Sequence, residues 1–221
     1  MAAVRLRQIE HEFEGRVRVR TRAFPLELLG RQAAPRALLT EEWWLAAVQE
    51  PAAKFSAFTG DDWPTTTLPA FIAVRAVADA DERLAHSLDL RVRVAFFAES
   101  RNIGKPHVLL DLVRDIGGDV TYVERALQGD AVRAQVMQEF ELARARYGVR
   151  GTPTLMLADG TRLEMPMGTP KITNGRIVGV RAQTCLGEGC YDATRALFER
   201  ALHRSDASSA SAGDIRHAGR G

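Results

Sequence analysis

An α/β fold carrying a large all-helical insertion is what this sequence predicts, and three observations support it. Helix-period spacing passes directly into strand-period spacing over residues 3–24, residues 41–147 read as helix with short breaks, and two apolar hairpins close on Asp159-Gly160 and Asn174-Gly175. A chain of 221 residues is long enough for one core and a sizeable insertion. With 46% hydrophobic and 26% charged residues it has an ordinary globular composition. Thirty basic groups against 28 acidic ones leave a formal charge of +2, which gives no argument for nucleic acid or an anionic membrane as partner.

In "AVRLRQIEHEF", Val4, Leu6, Ile9 and Phe13 recur at near-helical spacing and predict a helix over 3–14. "RVRVRTRAF" then alternates with period two, predicting a strand over 16–24 with Val17, Val19 and Thr21 on one face and Arg16, Arg18, Arg20 and Arg22 on the other. A row of arginines there reads as a solvated or guarded sheet face before it reads as an anion site. A loop with Pro25, Gly30 and Pro35 follows, and Thr40 before Glu41-Glu42 supplies a helix N-cap with acids in the first turn. Within the helical block Pro69 sits near a first turn, Leu84, Leu88, Val92 and Phe96 mark one face, and "LVRDIGG" ends on a glycine pair. After the hairpins "YDATRALFERALHR" predicts a closing helix with Leu197, Phe198 and Leu202 on one face, and residues 205–221 have nothing to bury and read as a disordered tail.

The stretch "YGVRGTPTLML" places Pro153 at the mouth of an apolar strand, where a missing N–H leaves one ladder position unfilled. Such an edge suits a visiting backbone; a proline that merely starts a strand is the plainer alternative. The N-terminus has no apolar run of signal-peptide length, and no stretch approaches the roughly 18 apolar residues of a membrane span. The expectation is a cytoplasmic protein with no membrane partner, whose two cysteines are ordinarily reduced.

In this order the pieces resemble the DsbA-like thioredoxin family, thiol–disulfide oxidoreductases with a helical domain inserted in a thioredoxin-like sheet. The matching segments are "VRLRQIEHEF…RVRVRTRAFPL", "WPTTTLPAF", "AFFAESRNIGKPHVLLDLV", "YGVRGTPTLML" and "TRALFERAL", and they cover most of residues 4–203. The resemblance implies a thioredoxin-like domain over 1–40 and 148–204 and a helical insertion over 41–147. It also implies that Pro153 is the family's cis-proline and that Thr152 before it offers backbone to an extended polypeptide; Thr154 is a poorer third choice. X-Pro bonds are the ones for which the cis form costs only about 0.5–1 kcal/mol, so proline is the natural residue to fix such a turn.

Members of the family carry a Cys-Pro-x-Cys step between the first strand and first helix, where a helix N-terminus lowers a thiol pKa. Here Met1 falls where that motif should just have ended, and no cysteine precedes Cys185. The first strand of the implied sheet is interior, and each buried amide left unpaired costs about 1–3 kcal/mol. The expectation is therefore a true start upstream of Met1, testable by reading the in-frame codons, with the chain as given inactive and no catalytic residue assigned within it. The rival is a relative that has lost the motif, in which strand 16–24 pairs directly with 154–158.

Cys185 and Cys190 stand in a glycine-rich loop before the last helix. They are a candidate redox pair if they close a local disulfide, or two reduced thiols if they do not; their spacing is not that of the family's motif. Two thiols without a histidine pair give no zinc site, and the five scattered histidines offer no nucleophile–base pair. Trp43, Trp44 and Trp63 read as core of the helical block, with a hydrophobic substrate groove as the other option. No cofactor is expected. A small thiol such as glutathione enters only in an alternative reading, in which the chain resembles the glutathione-dependent isomerases and kappa-type transferases. A third reading is a non-catalytic module that binds an extended peptide at the Pro153 edge by β-augmentation. Oligomeric state and substrate identity have no signature in the sequence.

Overall fold

The spacing of Val4, Leu6 and Ile9 does produce a helix, α1 (Ala2–Glu12), in a computed structural model that describes all residues except 1, 14, 31–35, 165–169, 181–188 and 215–221. The chain divides into two compact units. One comprises Arg20–Thr152 and Thr169–Arg181, the other Ala2–Val19, Pro153–Gly168 and Ala182–Gly221.

The helical unit holds the larger core. After a 3₁₀ turn (Leu26–Leu29) come α2 (Arg36–Gln49), α3 (Leu68–Ala80), α4 (Glu82–Phe97), α5 (Pro106–Asp115), α6 (Val120–Gln128) and α7 (Ala131–Glu141). Alanines at 70, 73 and 76 give α3 a small-residue face, so α4, α5, α6 and α7 can all pack on it. Leu88, Leu109, Leu112, Val113, Val123 and Val136 are wholly buried there. Pro69 lies in the first turn of α3 as expected, where its missing N–H costs nothing. The cap of that helix comes from elsewhere: Glu27 accepts from the Thr67 N–H at 2.9 Å and the Thr66 hydroxyl at 2.7 Å. Asp81 caps α4 by accepting from the N–H groups of Arg83 and Leu84. Helix α5 ends on the glycine pair, with Gly117 at φ +75.

Two expectations for this unit are corrected. Helix α2 starts at Arg36, not after Thr40, whose hydroxyl donates to the Arg36 carbonyl at 3.0 Å from inside the helix. Residues 50–67 are not helical either. Arg36 pins that segment, donating to the carbonyls of Phe58 at 2.7 Å and Gly60 at 2.9 Å while its guanidinium lies over the rings of Phe58 and Trp63. Trp43 and Trp63 stack at 5.8 Å with Phe96 against both; Trp43 is buried, Trp63 half-buried, and Trp44 is 54% exposed.

In the second unit α1 packs on α8 (Gly189–Asp214) through Ile9, Phe13, Tyr191 and Phe198. Arg195 holds Glu12 with two contacts of 2.7 and 2.9 Å, and this hydrogen-bonded guanidinium keeps the Glu12 carboxyl below the usual carboxylate range. The pair therefore contributes at neutral pH and is lost as pH falls through that lowered pKa; being at the surface, it is worth little. Helix α8 runs to Asp214, ten residues beyond the expected 204. Once a packed segment has nucleated a helix, extending it through Ala and Ser costs little per residue.

The strand expected over 16–24 does not form; among the described residues the segment has no ladder partner and no regular structure. Its alternation survives in part. Val17 and Val19 pack on the Ile9–Phe198 cluster while Arg16, Arg18 and Arg20 are exposed, but Thr21 is exposed with them. Period two describes which side chains turn inward; a strand also needs a neighbouring backbone.

Both predicted hairpins are present as separate two-stranded antiparallel sheets, β1 (Thr154–Met156) with β2 (Arg162–Glu164) and β3 (Pro170–Thr173) with β4 (Arg176–Val180). Asn174 and Gly175 both have positive φ, as a type I′ turn requires. The pair flanking such a turn exchanges both hydrogen bonds, so at the next position Ile177 turns its N–H outward. Glu41 of α2 accepts that N–H at 2.9 Å and pairs with Arg176 at 3.2 Å, which closes the edge of β4.

Candidate functional site

The Gly-Thr-Pro-Thr step is positioned from the helix before it. At the end of α7 the chain widens into a π-helical turn (Leu142–Arg146), with the Tyr147 N–H donating to the Leu142 carbonyl at 3.3 Å and the Val149 N–H to the Ala143 carbonyl at 3.0 Å. Gly148, at φ +61, then reverses the chain in a conformation that side chains resist. Val149 drops into a pocket of its own, 8% exposed, against Phe24 and Phe140, whose rings lie 5.0 Å apart. From that anchor the backbone emerges: Arg150 and Thr152 are exposed, Gly151 and Pro153 half-buried, and β1 begins at Thr154.

Thr152 is the last residue of the helical unit's long segment and Pro153 the first of the other unit's second segment. β1 pairs with β2 in the register Thr154 to Glu164, Leu155 to Leu163 and Met156 to Arg162. The turn is tied down by Asp159, which accepts from the Thr161 N–H at 2.8 Å and from Arg200 of α8 at 3.3 Å. Among the described residues β2 is the one strand beside β1. A strand with one neighbour and a proline at its entrance can add an extended polypeptide by main-chain hydrogen bonds. Local charge is basic: Arg144 is neutralised by Glu141 at 3.0 Å, Arg146 lies over the Tyr147 ring, and Arg150 is exposed.

Thr152 and Pro153 directly precede β1, and Thr154 is its first residue. Cys185 lies outside the described residues, and Cys190 falls in the first turn of α8 with its side chain outside them, so the candidate redox pair is not described. Among the described residues no cluster of His, Cys, Asp or Glu could hold a metal ion. No described helix is long and apolar enough to cross a membrane. Half-burial on α2 raises the Glu42 pKa, away from this step. The residue that sequence reasoning passed over is Val149; its signal was a single apolar side chain between Gly148 and Arg150 after a charged helix.

The family model of the DSBA-like thioredoxin domain matches residues 1–174. The chain belongs to that family. Its fold is accordingly thioredoxin-like with a helical insertion, the class expected from the sequence. A solved structure from Nitrosomonas europaea, described as a "putative protein disulfide isomerase", superposes with a TM-score of 0.63 at 16% identity, covering 91% of this chain and 90% of that one. The cytosolic disulfide reductase DsbM from Pseudomonas aeruginosa superposes with a TM-score of 0.53 at 21% identity, covering 83% of this chain and 80% of that one. At such identities both speak for the fold. No curated protein matches the chain.

Proposed function

We propose that this DSBA-like chain holds extended polypeptides for DsbA-type thiol–disulfide exchange, with Thr152 and Pro153 offering the docking backbone. One observation carries the reading: β1 starts immediately after Pro153 and has one strand neighbour among the described residues. In the exchange itself a thiolate attacks a substrate disulfide, releases one substrate thiol and forms a mixed disulfide, which a second thiolate resolves. The contribution assigned to this chain is to keep the substrate backbone straight while those sulfurs align. Cys185 and Cys190, with four residues between them, are kept out of that role.

The test uses reduced, carboxymethylated lactalbumin, an unfolded polypeptide without free thiols, labelled for fluorescence anisotropy. The full chain should bind it, and Pro153→Ala should weaken binding roughly tenfold, about 1.4 kcal/mol. Equal affinity for the two proteins would remove Pro153 from the site, and no binding at all would end the reading. Displacement of the polypeptide by S-methylglutathione would assign the site to small thiols instead. A separate measurement addresses the cysteines. Both Cys185 and Cys190 should remain titratable as free thiols under mild oxidant; disappearance of both signals would give the pair a redox role.

A further inference from the structure

A helix whose side chains are apolar all the way round is ordinarily covered on every side. From Trp43 to Val48 helix α2 reads WWLAAV, without one polar side chain, yet its own chain covers it in part: Trp43 is buried, whereas Trp44 is 54% and Val48 82% exposed. Glu41, Trp44 and Val48 stand at i, i+3 and i+7 and so share a helix face. On that face the Glu41 carboxylate holds the Ile177 N–H at 2.9 Å and Arg176 at 3.2 Å, which brings the β3–β4 hairpin alongside. The hairpin adds apolar surface of its own. Its register shifts so that Val178 has no cross-strand partner, a bulge that leaves this side chain 64% exposed, and Ile172, opposite Ile177, is 48% exposed.

We propose that this face of α2 and the β3–β4 hairpin is a dimer interface, occupied by the same face of a second copy of this chain. Trp44, Val48, Ile172 and Val178 together expose roughly 400 Å², the scale of patches that are functional on a monomer. An ordinary interface is about 57% apolar, so that surface is the apolar share of about 700 Å² per partner. A stable complex takes about 800 Å² from each side, so the two agree. Charge favours a like partner as well. Glu41 and Arg176 neutralise each other, and Lys171 alternates away from Ile172 along β3, so the centre of a two-fold contact carries no unpaired charge. A membrane surface suits the face less well: α2 has no basic side chain after Arg36, which is committed to the carbonyls of Phe58 and Gly60.

Sedimentation equilibrium of the full chain is the test, and it should show a dimer with a micromolar Kd. Trp44→Ser and Val48→Arg should each weaken that dimer about tenfold, and the two together about a hundredfold. Val178→Arg, on the hairpin, should also weaken it about tenfold. Leu26→Ser removes a leucine of similar exposure, 49%, from the 3₁₀ turn and should leave the dimer unchanged. Because the altered side chains are exposed within one chain, thermal midpoints taken well below the Kd should match that of the unaltered protein. Above it, the unaltered midpoint should rise with concentration and that of the double variant should not. An unaltered chain that stays monomeric at high micromolar concentration overturns the inference, and so does a dimer that survives the double variant. Lowered dilute midpoints in all three single variants would assign the face to folding instead. A monomer that cosediments with phosphatidylglycerol vesicles would give it to a membrane and equally end the proposal.

Discussion

Leu109→Ala should lower stability by about 2–5 kcal/mol, the range for truncating a wholly buried leucine. The side chain is 0% exposed in α5, within the cluster that also holds Leu88, Leu112, Val113 and Val123. Two terms add: the transfer free energy of the lost methyl and methylene groups, and the cavity left because surrounding helices relax only in part. Relaxation should be small here. α5 is held at both ends, by Asn102, whose amide donates to Asp62 at 2.8 Å and whose carbonyl accepts from Gly104 at 2.9 Å, and by the Gly117-Gly118 turn. Urea unfolding is the measurement, with a lower midpoint and an unchanged slope as the expected signature. Leu110→Ala, one residue along and half-buried, is the control with a smaller loss. A cost below about 1 kcal/mol for Leu109 would mean that α5 does not pack as described.

That core was legible in the sequence because helical spacing is local. Val108, Leu109, Leu112 and Val113 announce one face within six residues, as Ile9 and Phe13 do for α1. The hairpins were legible for the same reason: Asn174-Gly175 takes positive φ at both residues and Asp159-Gly160 at its glycine, so each pair fixes a turn from local chemistry. What failed was whatever depended on a distant neighbour. The alternation of residues 16–24 gave no hint that it would lack a ladder, and the N-terminal turn of α2 and the coil at 50–67 are settled by Arg36 reaching Phe58 and Gly60, which propensity does not register. At the candidate site the proline step was readable and its support was not. Val149 owes its position to Phe24 and Phe140, which stand far from it or from each other in the chain and meet only after folding.

The support of that step leads to the second large effect, at Glu139 on α7. Its carboxylate accepts from the Ala23 N–H at 2.7 Å and from Arg22 at 3.2 Å, and lies 3.3 Å from Arg75 of α3, which also holds Asp79 at 2.7 Å. With the Glu139 side chain 14% exposed and Arg75 19% exposed, little solvent remains to replace a lost partner. Removing one member of a buried pair costs about 3–5 kcal/mol, and partial exposure discounts this, so Glu139→Ala should lose roughly 2–3 kcal/mol. Glu139→Gln keeps an acceptor for the Ala23 N–H and should lose less, which separates the hydrogen bond from the charge. The consequence should reach the candidate site, because Ala23 precedes Phe24, and Phe24 with Phe140 forms the seat of Val149. Amide hydrogen exchange is the discriminating measurement. In Glu139→Ala the Val149 N–H, which donates to Ala143 at 3.0 Å, should exchange faster by more than the global destabilisation requires, while the Leu109 amide should follow the global change alone. If both amides change in step, the network at Glu139 stabilises the helical unit as a whole and has no particular hold on the turn that presents Thr152 and Pro153.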